Sequence, residues 1–281
     1  MTPTLDMKKA DTAIRILGMG DPGTGKTGSL AALINELPRW GIKRVIIQDW
    51  DNGLDILSAK VNPDKQSLVH YATLRDEMKA TQEGVKVREN TALKRGMALM
   101  NNWKLEGEDL GNCNSWGLET LFVCDTLTGL GDACLNFAVD QLKINSHWKA
   151  VGEGMKIQGG YVQLLVALKC HAILFSHKRY MGGGGQTVIQ DTKDPQVLMY
   201  KVVDSTDEGD CYPSALGRVL PPTIGRHFNI QLEWRMYGAS RKISTVPRDE
   251  KMATKMPFKL PSDLPQETGL VDVFSAYFDR K

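Results

Sequence analysis

Short unbroken apolar runs alternate along the chain with polar or amphipathic stretches. Residues 13–17, 44–48, 120–126 and 172–175 are such runs, each about the length of one strand. Successive rather than alternating apolar positions predict strands covered on both faces, as in a parallel sheet between helix layers. Residues 29–37 place Leu30, Leu33, Ile34 and Leu37 on one helical face, and Pro38 stops that helix. Residues 54–60 predict a short helix and 67–71 a shorter third strand. Within the polar stretch 73–107, Leu93, Met97 and Met100 predict a surface helix with one buried stripe, and Trp103 lies just beyond. Helices are predicted over 130–144 and 161–169, separated by the glycine-containing stretch 151–160. From Met181 to about Pro195 a long loop opens on Gly182, Gly183, Gly184 and Gly185, with the composition of a mobile segment. Residues 228–234 and 241–246 read as a hairpin around the turn 237–240. Residues 257–265 are extended, and Leu270, Val271, Val273, Phe274 and Tyr277 form the apolar face of a last helix. The order predicts a short arm (1–12) and one α/β domain (13–281).

Composition changes that picture little. A chain of 281 residues with 42% hydrophobic residues can bury a sizeable core. No apolar run reaches the ~18 residues of a membrane span. Residues 1–12 are polar and lack the apolar centre of a signal peptide, so a cytoplasmic protein with no membrane partner is expected. The five cysteines make no C-x-x-C pair, which excludes the usual zinc and disulfide frameworks. Cys124 and Cys170 fall in or beside apolar runs and are expected in the core. The net charge of +2 is neutral on nucleic acid. Basic residues do outnumber acids over 226–260, a stretch suited equally to phosphate and to solvent.

The chemistry concentrates at residues 20–27. Gly20, Asp21, Pro22, Gly23, Thr24, Gly25, Lys26 and Thr27 fit the phosphate-loop pattern G-x-x-x-x-G-K-[ST], and Gly28 continues into the helix. Glycines let backbone N–H groups turn inward, and with the helix N-terminus they form an anion nest. Lys26 can reach the β- and γ-phosphates of ATP, and the Thr27 hydroxyl can ligate Mg²⁺. The second strand runs into Asp49, Trp50, Asp51, Asn52 and Gly53, an acidic cluster where open α/β sheets place ligand chemistry. The strand 120–126 carries apolar residues up to Asp125, a Walker B pattern whose carboxylate can support Mg²⁺ opposite Thr27. His177, at the tip of the strand 172–175, can sense the γ-phosphate or simply cap its strand.

This order of parts resembles the RecA-like ATPases. A closer match within them is a phage-type family that includes single-strand annealing and recombination proteins. The finer likeness rests on Asp125-Thr126-Leu127-Thr128, Ser176-His177, Leu216-Gly217-Arg218 with Leu220-Pro221, and Arg241-Lys242-Ile243-Ser244-Thr245-Val246-Pro247. The resemblance implies a RecA-like core, a mostly parallel sheet flanked by helices with a C-terminal β-hairpin. It implies DNA-stimulated ATP hydrolysis in phage or mobile-element recombination or replication. Asp51 then holds the water-activating position, one methylene shorter than the family's usual Glu, with Asp49 as the alternative. His177 takes the place of the family's Gln. Gly182 and Gly183 fall in the loop that contacts DNA there, and Lys178 and Arg179 at its root are expected to meet backbone phosphates. Arg241 or Arg248 would complete a neighbour's site in a homo-oligomer, ring or filament. Single-stranded DNA and a single-stranded DNA-binding protein are the further implied partners. Two other classes fit the same residues: a ring-type motor or remodelling ATPase whose client is not DNA, and a nucleotide-binding structural subunit.

Overall fold

A computed structural model describes residues 13–82, 84–89, 91–105, 107–181, 187–190, 198–201, 210–246 and 256–279. Strand β1 (Arg15–Gly20) leads through a tight loop into helix α1 (Lys26–Glu36). β2 (Arg44–Asp49) leads into α2 (Asp55–Lys60), and β3 (Val69–Thr73) follows. A hairpin of β4 (Glu77–Thr81) and β5 (Gly84–Glu89), helix α3 (Ala92–Asn101), and a hairpin of β6 (Trp103–Leu105) and β7 (Glu108–Gly111) come next. Helices α4 (Leu127–Asp140) and α5 (His147–Ala167) connect β8 (Thr120–Asp125) to β9 (His171–Ser176). Beyond β9 lie β10 (Lys178–Met181), the ladder of β11 (Thr187–Gln190) and β12 (Leu198–Lys201), and β13 (Asp210–Pro213), which pairs with β10. The short α6 (Pro221–Ile224) precedes β14 (Ile230–Tyr237), β15 (Ser240–Ser244), β16 (Asp263–Pro265) and α7 (Gly269–Phe278).

Eight of these strands form one sheet in the order β16-β15-β14-β1-β9-β8-β2-β3. From β14 to β3 every pairing is parallel, and β15 and β16 add an antiparallel edge. This is the expected α/β architecture, a mostly parallel sheet flanked by helices with a C-terminal hairpin. β9 lies between β1 and β8, so its tip stands between the phosphate loop and Asp125.

The apolar runs explain why the sheet is covered twice. Ile16, Ile47, Val123 and Ile173 face a core shared with α1, α2 and α7. Leu17, Ile46, Phe122 and Leu174, one residue out of phase, face a second core shared with α3, α4 and α5. Each strand thus gives alternate side chains to two apolar layers, which is why its sequence shows no polar phase. Cys124 and Cys170 are core residues, and all five cysteines are buried and form no disulfide.

Three expectations change. Residues 151–160 do not separate two helices. They continue α5, because Gly131 and Gly154 let α4 and α5 pack closely: a Cβ on Gly154 would lie 3.3 Å from the Cys134 carbonyl. Sequence glycine content signalled a break; tertiary packing uses it as a contact. On α3 the buried face is Leu93, Gly96, Leu99 and Met100, whereas Met97 is exposed, because Gly96 seats the Trp50 ring. Finally, the stretch expected as a loop from Met181 to about Pro195 contains β11, which pairs with β12. Gly182, Gly183, Arg248 and the arm 1–12 lie outside the described residues.

Candidate active site

The carboxyl ends of β1, β9, β8 and β2 converge. Gly20 ends β1, Ser176 ends β9, and Asp125 pairs in register with Asp49 at the ends of β8 and β2. The phosphate loop closes onto α1 through Gly25, which sits at φ 93° as the residue before the first helical turn. A side chain there would be strained and would also meet Gln266, whose Nε2 donates to the Gly25 carbonyl at 2.8 Å. The N-terminal N–H groups of α1 are thereby presented inward.

Lys26 is 6% exposed. Its Nζ donates to the Gly20 carbonyl at 2.7 Å and the Asp21 carbonyl at 3.2 Å. Burial pulls the ammonium below its ordinary pKa, against the opposing pull of Asp125, Asp51 and Asp21. The Thr27 hydroxyl donates to Asp125 Oδ2 at 2.7 Å. Asp125 is buried, and its pKa is raised to about 6, chiefly by desolvation, with Asp51 and Asp49 adding to the rise and Thr27 opposing it. A carboxylate held in that state gains from a cation placed between it and the Thr27 oxygen. The donor set, one hydroxyl and one carboxylate beside a phosphate nest, fits Mg²⁺ bound jointly with phosphate oxygens. Among the described residues no group of three or more His, Cys, Asp or Glu side chains forms a separate metal cage.

Asp49 and Asp51 have different surroundings. Asp49 is buried; its Oδ1 accepts from the Asp51 and Gly53 backbone N–H groups, each at 3.2 Å, and its Oδ2 from Thr73 Oγ1 at 3.2 Å. It holds the turn after β2. Asp51 projects from that turn toward α4: Oδ2 accepts from Thr126 Oγ1 at 2.8 Å. A Cβ on Gly129 would lie 2.6 Å from Asp51 Oδ1, so only glycine leaves room for this carboxylate at the helix N-terminus. Arg75 Nη2 donates to the Asp51 carbonyl at 2.7 Å.

His177 Nε2 lies 3.6 Å from Asp51 Oδ2. Burial and then Lys26 lower the imidazole pKa, against the pull of Asp51, so the ring is neutral near pH 7. Its backbone N–H donates to Thr128 Oγ1 at 3.2 Å, and its carbonyl accepts from Ser214 N at 2.8 Å. Lys26, Thr27, Asp125, Asp51 and His177 are therefore linked by direct contacts or mutual electrostatics.

The basic candidates are engaged within the chain. Lys178 Nζ pairs with Asp21 at 3.1 Å and Glu233 at 3.3 Å. Arg179 Nη1 donates to the Ala215 and Gly217 carbonyls, each at 3.0 Å. Arg241 is exposed on β15. Sequence reasoning missed Gln158, which is fully buried. Its Nε2 donates to the Leu127 carbonyl at 2.7 Å and its Oε1 accepts from Leu216 N at 2.9 Å. It also missed Gln266, Arg75 and Glu233. Thr126 and Thr128 closely follow Asp125 in the sequence and were findable there; the others carry no local signal.

No family model matches the chain. No curated protein matches it. Among solved structures, the crystal structure of the KaiC-like protein PH0186 from the hyperthermophilic archaeon Pyrococcus horikoshii OT3 is similar, at 11% identity and a TM-score of 0.36. That similarity covers 86% of this chain and 82% of that one. Among the described residues, no helix is long and apolar enough to cross a membrane.

Proposed function

We propose that the chain is a Mg²⁺-dependent ATPase that acts on single-stranded DNA, in the recombination or replication of a phage or mobile element. The observation that carries the ATPase reading is the Thr27–Asp125 contact of 2.7 Å, with Lys26 coupled electrostatically to Asp125 and Asp51. When bound, Mg²⁺ and the triphosphate supply an electrophilic phosphorus and a polarised leaving group. The chain's residues do the rest. Lys26 and the backbone of residues 20–28 hold the phosphates. Thr27 and Asp125 orient the metal. Asp51 Oδ2, fixed by Thr126, accepts the proton of the attacking water. Neutral His177 donates a hydrogen bond to the γ-phosphate or releases it, and so reports which nucleotide is present.

A groove of about 440 Å³ supports the DNA reading. Trp148, His147, Arg179 and Arg218 line it, together with the acidic Asp132. The indole of Trp148 is 82% exposed. An exposed aromatic beside arginines suits a stacked base with its phosphate and has no sequence preference. The groove wall at Ser214–Leu216 is tied to His177 by Ser214 N and to the start of α4 by Gln158. Base binding can thus alter the γ-phosphate side of the site. Self-assembly, with Arg241 or Arg248 reaching a neighbour's nucleotide, completes the proposal.

The test is ATP turnover with and without single-stranded DNA. The expected result is Mg²⁺-dependent hydrolysis that rises with DNA. Hydrolysis indifferent to DNA would favour a motor or remodeller with another client. Binding without turnover would favour a structural subunit.

A further inference from the structure

We propose that Lys178 is a second cation for the triphosphate, parked on the Asp21 carboxylate until the terminal phosphate takes that place. The inference rests on the nucleotide reading above and assigns Lys178 to ATP rather than to DNA. Lys178 follows His177 directly, at the exit of β9 beside the phosphate loop. Its side chain is 9% exposed, and its ammonium bridges Asp21 and Glu233. Asp21 is the second residue of the phosphate loop. Two ammonium groups therefore converge on it, Lys26 on its carbonyl and Lys178 on its carboxylate.

The two halves of the Lys178 bridge differ. Glu233 is 5% exposed in its side chain and is also bound by Arg235 Nε, whose Nη2 is buried without a hydrogen-bond partner. Breaking the Glu233 half would leave its buried Oε1 without that donor, with Arg235 held only on Oε2. The Asp21 side chain is 53% exposed, so water can take over its hydrogen bonds. The Asp21 contact is therefore the half that opens, with Glu233 as the pivot. Burial opposes the charge on Lys178, but Asp21, Tyr180 and Glu233 together hold its pKa above the ordinary value, so the ammonium stays charged.

Lys178 and Lys26 repel each other across the nest, and the Asp21 carboxylate between them lessens that repulsion. A triphosphate brings its own charge beside Asp21. Like-charge repulsion then displaces the carboxylate and leaves Lys178 to neutralise the terminal phosphate. ADP lacks that phosphate and leaves Lys178 on Asp21. The pair therefore sets the preference of the site for ATP over ADP. A purely structural clamp would leave that preference alone.

The experiment measures ATP and ADP affinities, with Mg²⁺, for the parent, Asp21→Asn, Lys178→Gln, the double variant and Lys26→Ala. Asp21→Asn should raise the ATP-to-ADP affinity ratio about two- to fivefold, the worth of one exposed ion pair. Lys178→Gln should lower the ratio about tenfold or more, with ADP affinity unchanged. The double variant should match Lys178→Gln. Ratios within twofold of the parent in both folded single variants overturn the proposal. Should Lys178→Gln fail to fold, Asp21→Asn decides alone, because Asp21 is exposed; an unchanged ratio there overturns it. A parent that binds neither nucleotide, or binds both regardless of Lys26→Ala, overturns the nucleotide reading and this inference with it. A Lys26-dependent parent with an unmoved ratio overturns this inference only.

Discussion

Two neighbouring charge clusters, Lys26 with Asp125 after β1 and β8 and Lys178 after β9 against β14, carry the same kinds of side chain and use them differently. At the first, Lys26 spends its hydrogen bonds on backbone carbonyls, and Asp125 keeps a carboxyl whose ionisation burial resists. At the second, Lys178, Glu233, Arg235 and Asp21 neutralise one another. Charge left unmatched in the interior marks where a ligand completes the structure. Charge matched within the chain marks scaffolding, with any exposed contact as its movable part.

The contrast breaks first at the chemistry. Asp51→Asn should retain ATP binding and lose turnover by about 10²–10⁴, the usual worth of a positioned base. Asp49→Asn should instead act on stability, since Asp49 serves the turn after β2. Single-turnover hydrolysis beside equilibrium binding separates the two. Normal turnover in Asp51→Asn would move the base elsewhere.

Lys26→Ala should follow. Losing two charge-assisted hydrogen bonds to phosphate, about 1.5–3 kcal/mol each, lowers ATP affinity on the order of a thousandfold. Titration with a fluorescent ATP analogue reads it. An affinity within about twofold of the parent would remove the phosphate-loop assignment.

Asp125 sharpens the same comparison through pH. Its folded pKa of about 6 exceeds the unfolded value. The stability it contributes is therefore present below about pH 4 and lost as pH rises through 6. Above that, the ionised carboxyl costs the metal-free protein about 3 kcal/mol, from a shift of about two units. Asp125→Asn does not ionise. In urea unfolding with EDTA, its stability relative to the parent should rise by about that amount between pH 4 and 7. Mg²⁺ with nucleotide should shrink the gap at pH 7. A difference flat with pH would mean that burial does not raise the Asp125 pKa above its unfolded value.

Legibility divides along the same line. The phosphate loop was readable because its parts are contiguous: Gly25, Lys26 and Thr27 are fixed by one turn and one helix start. Asp125 and His177 were readable because each follows an apolar run, and the parallel sheet brings such ends together. The fate of Asp49 was not, because two backbone N–H groups and Thr73 decide it. Lys178 and Arg179 were read as the root of a DNA-contacting loop, yet they have partners within the chain, 55 residues away at Glu233 and 38 away at Gly217. Pairings of that reach leave no local pattern. The α5 glycines misled for the same reason: their purpose is contact with α4, and no window around residue 155 contains it.

The smallest expected effect tests whether the groove beside β9 belongs to the active or the scaffolding half. Trp148 lies at the start of α5, 82% exposed, with its indole 5.7 Å from the His147 ring. It makes none of the contacts described at the nucleotide site, so Trp148→Ala should leave ATP affinity unchanged. Base stacking is worth about 1–3 kcal/mol, so single-stranded DNA affinity should fall about tenfold. Stacking neutralises no phosphate, so the salt dependence of binding should keep its slope, whereas Arg218→Ala should flatten it. Fluorescence anisotropy of a labelled oligonucleotide across a salt series reads both quantities at once. If the groove communicates with His177 through Ser214, Trp148→Ala should also raise the DNA concentration needed for half-maximal ATPase stimulation by the same factor. Lost affinity with unshifted stimulation would make the groove a landing surface, separate from the nucleotide switch. Unchanged DNA affinity would return Trp148 to the ordinary surface and shift attention to Arg241 and its neighbours on β15.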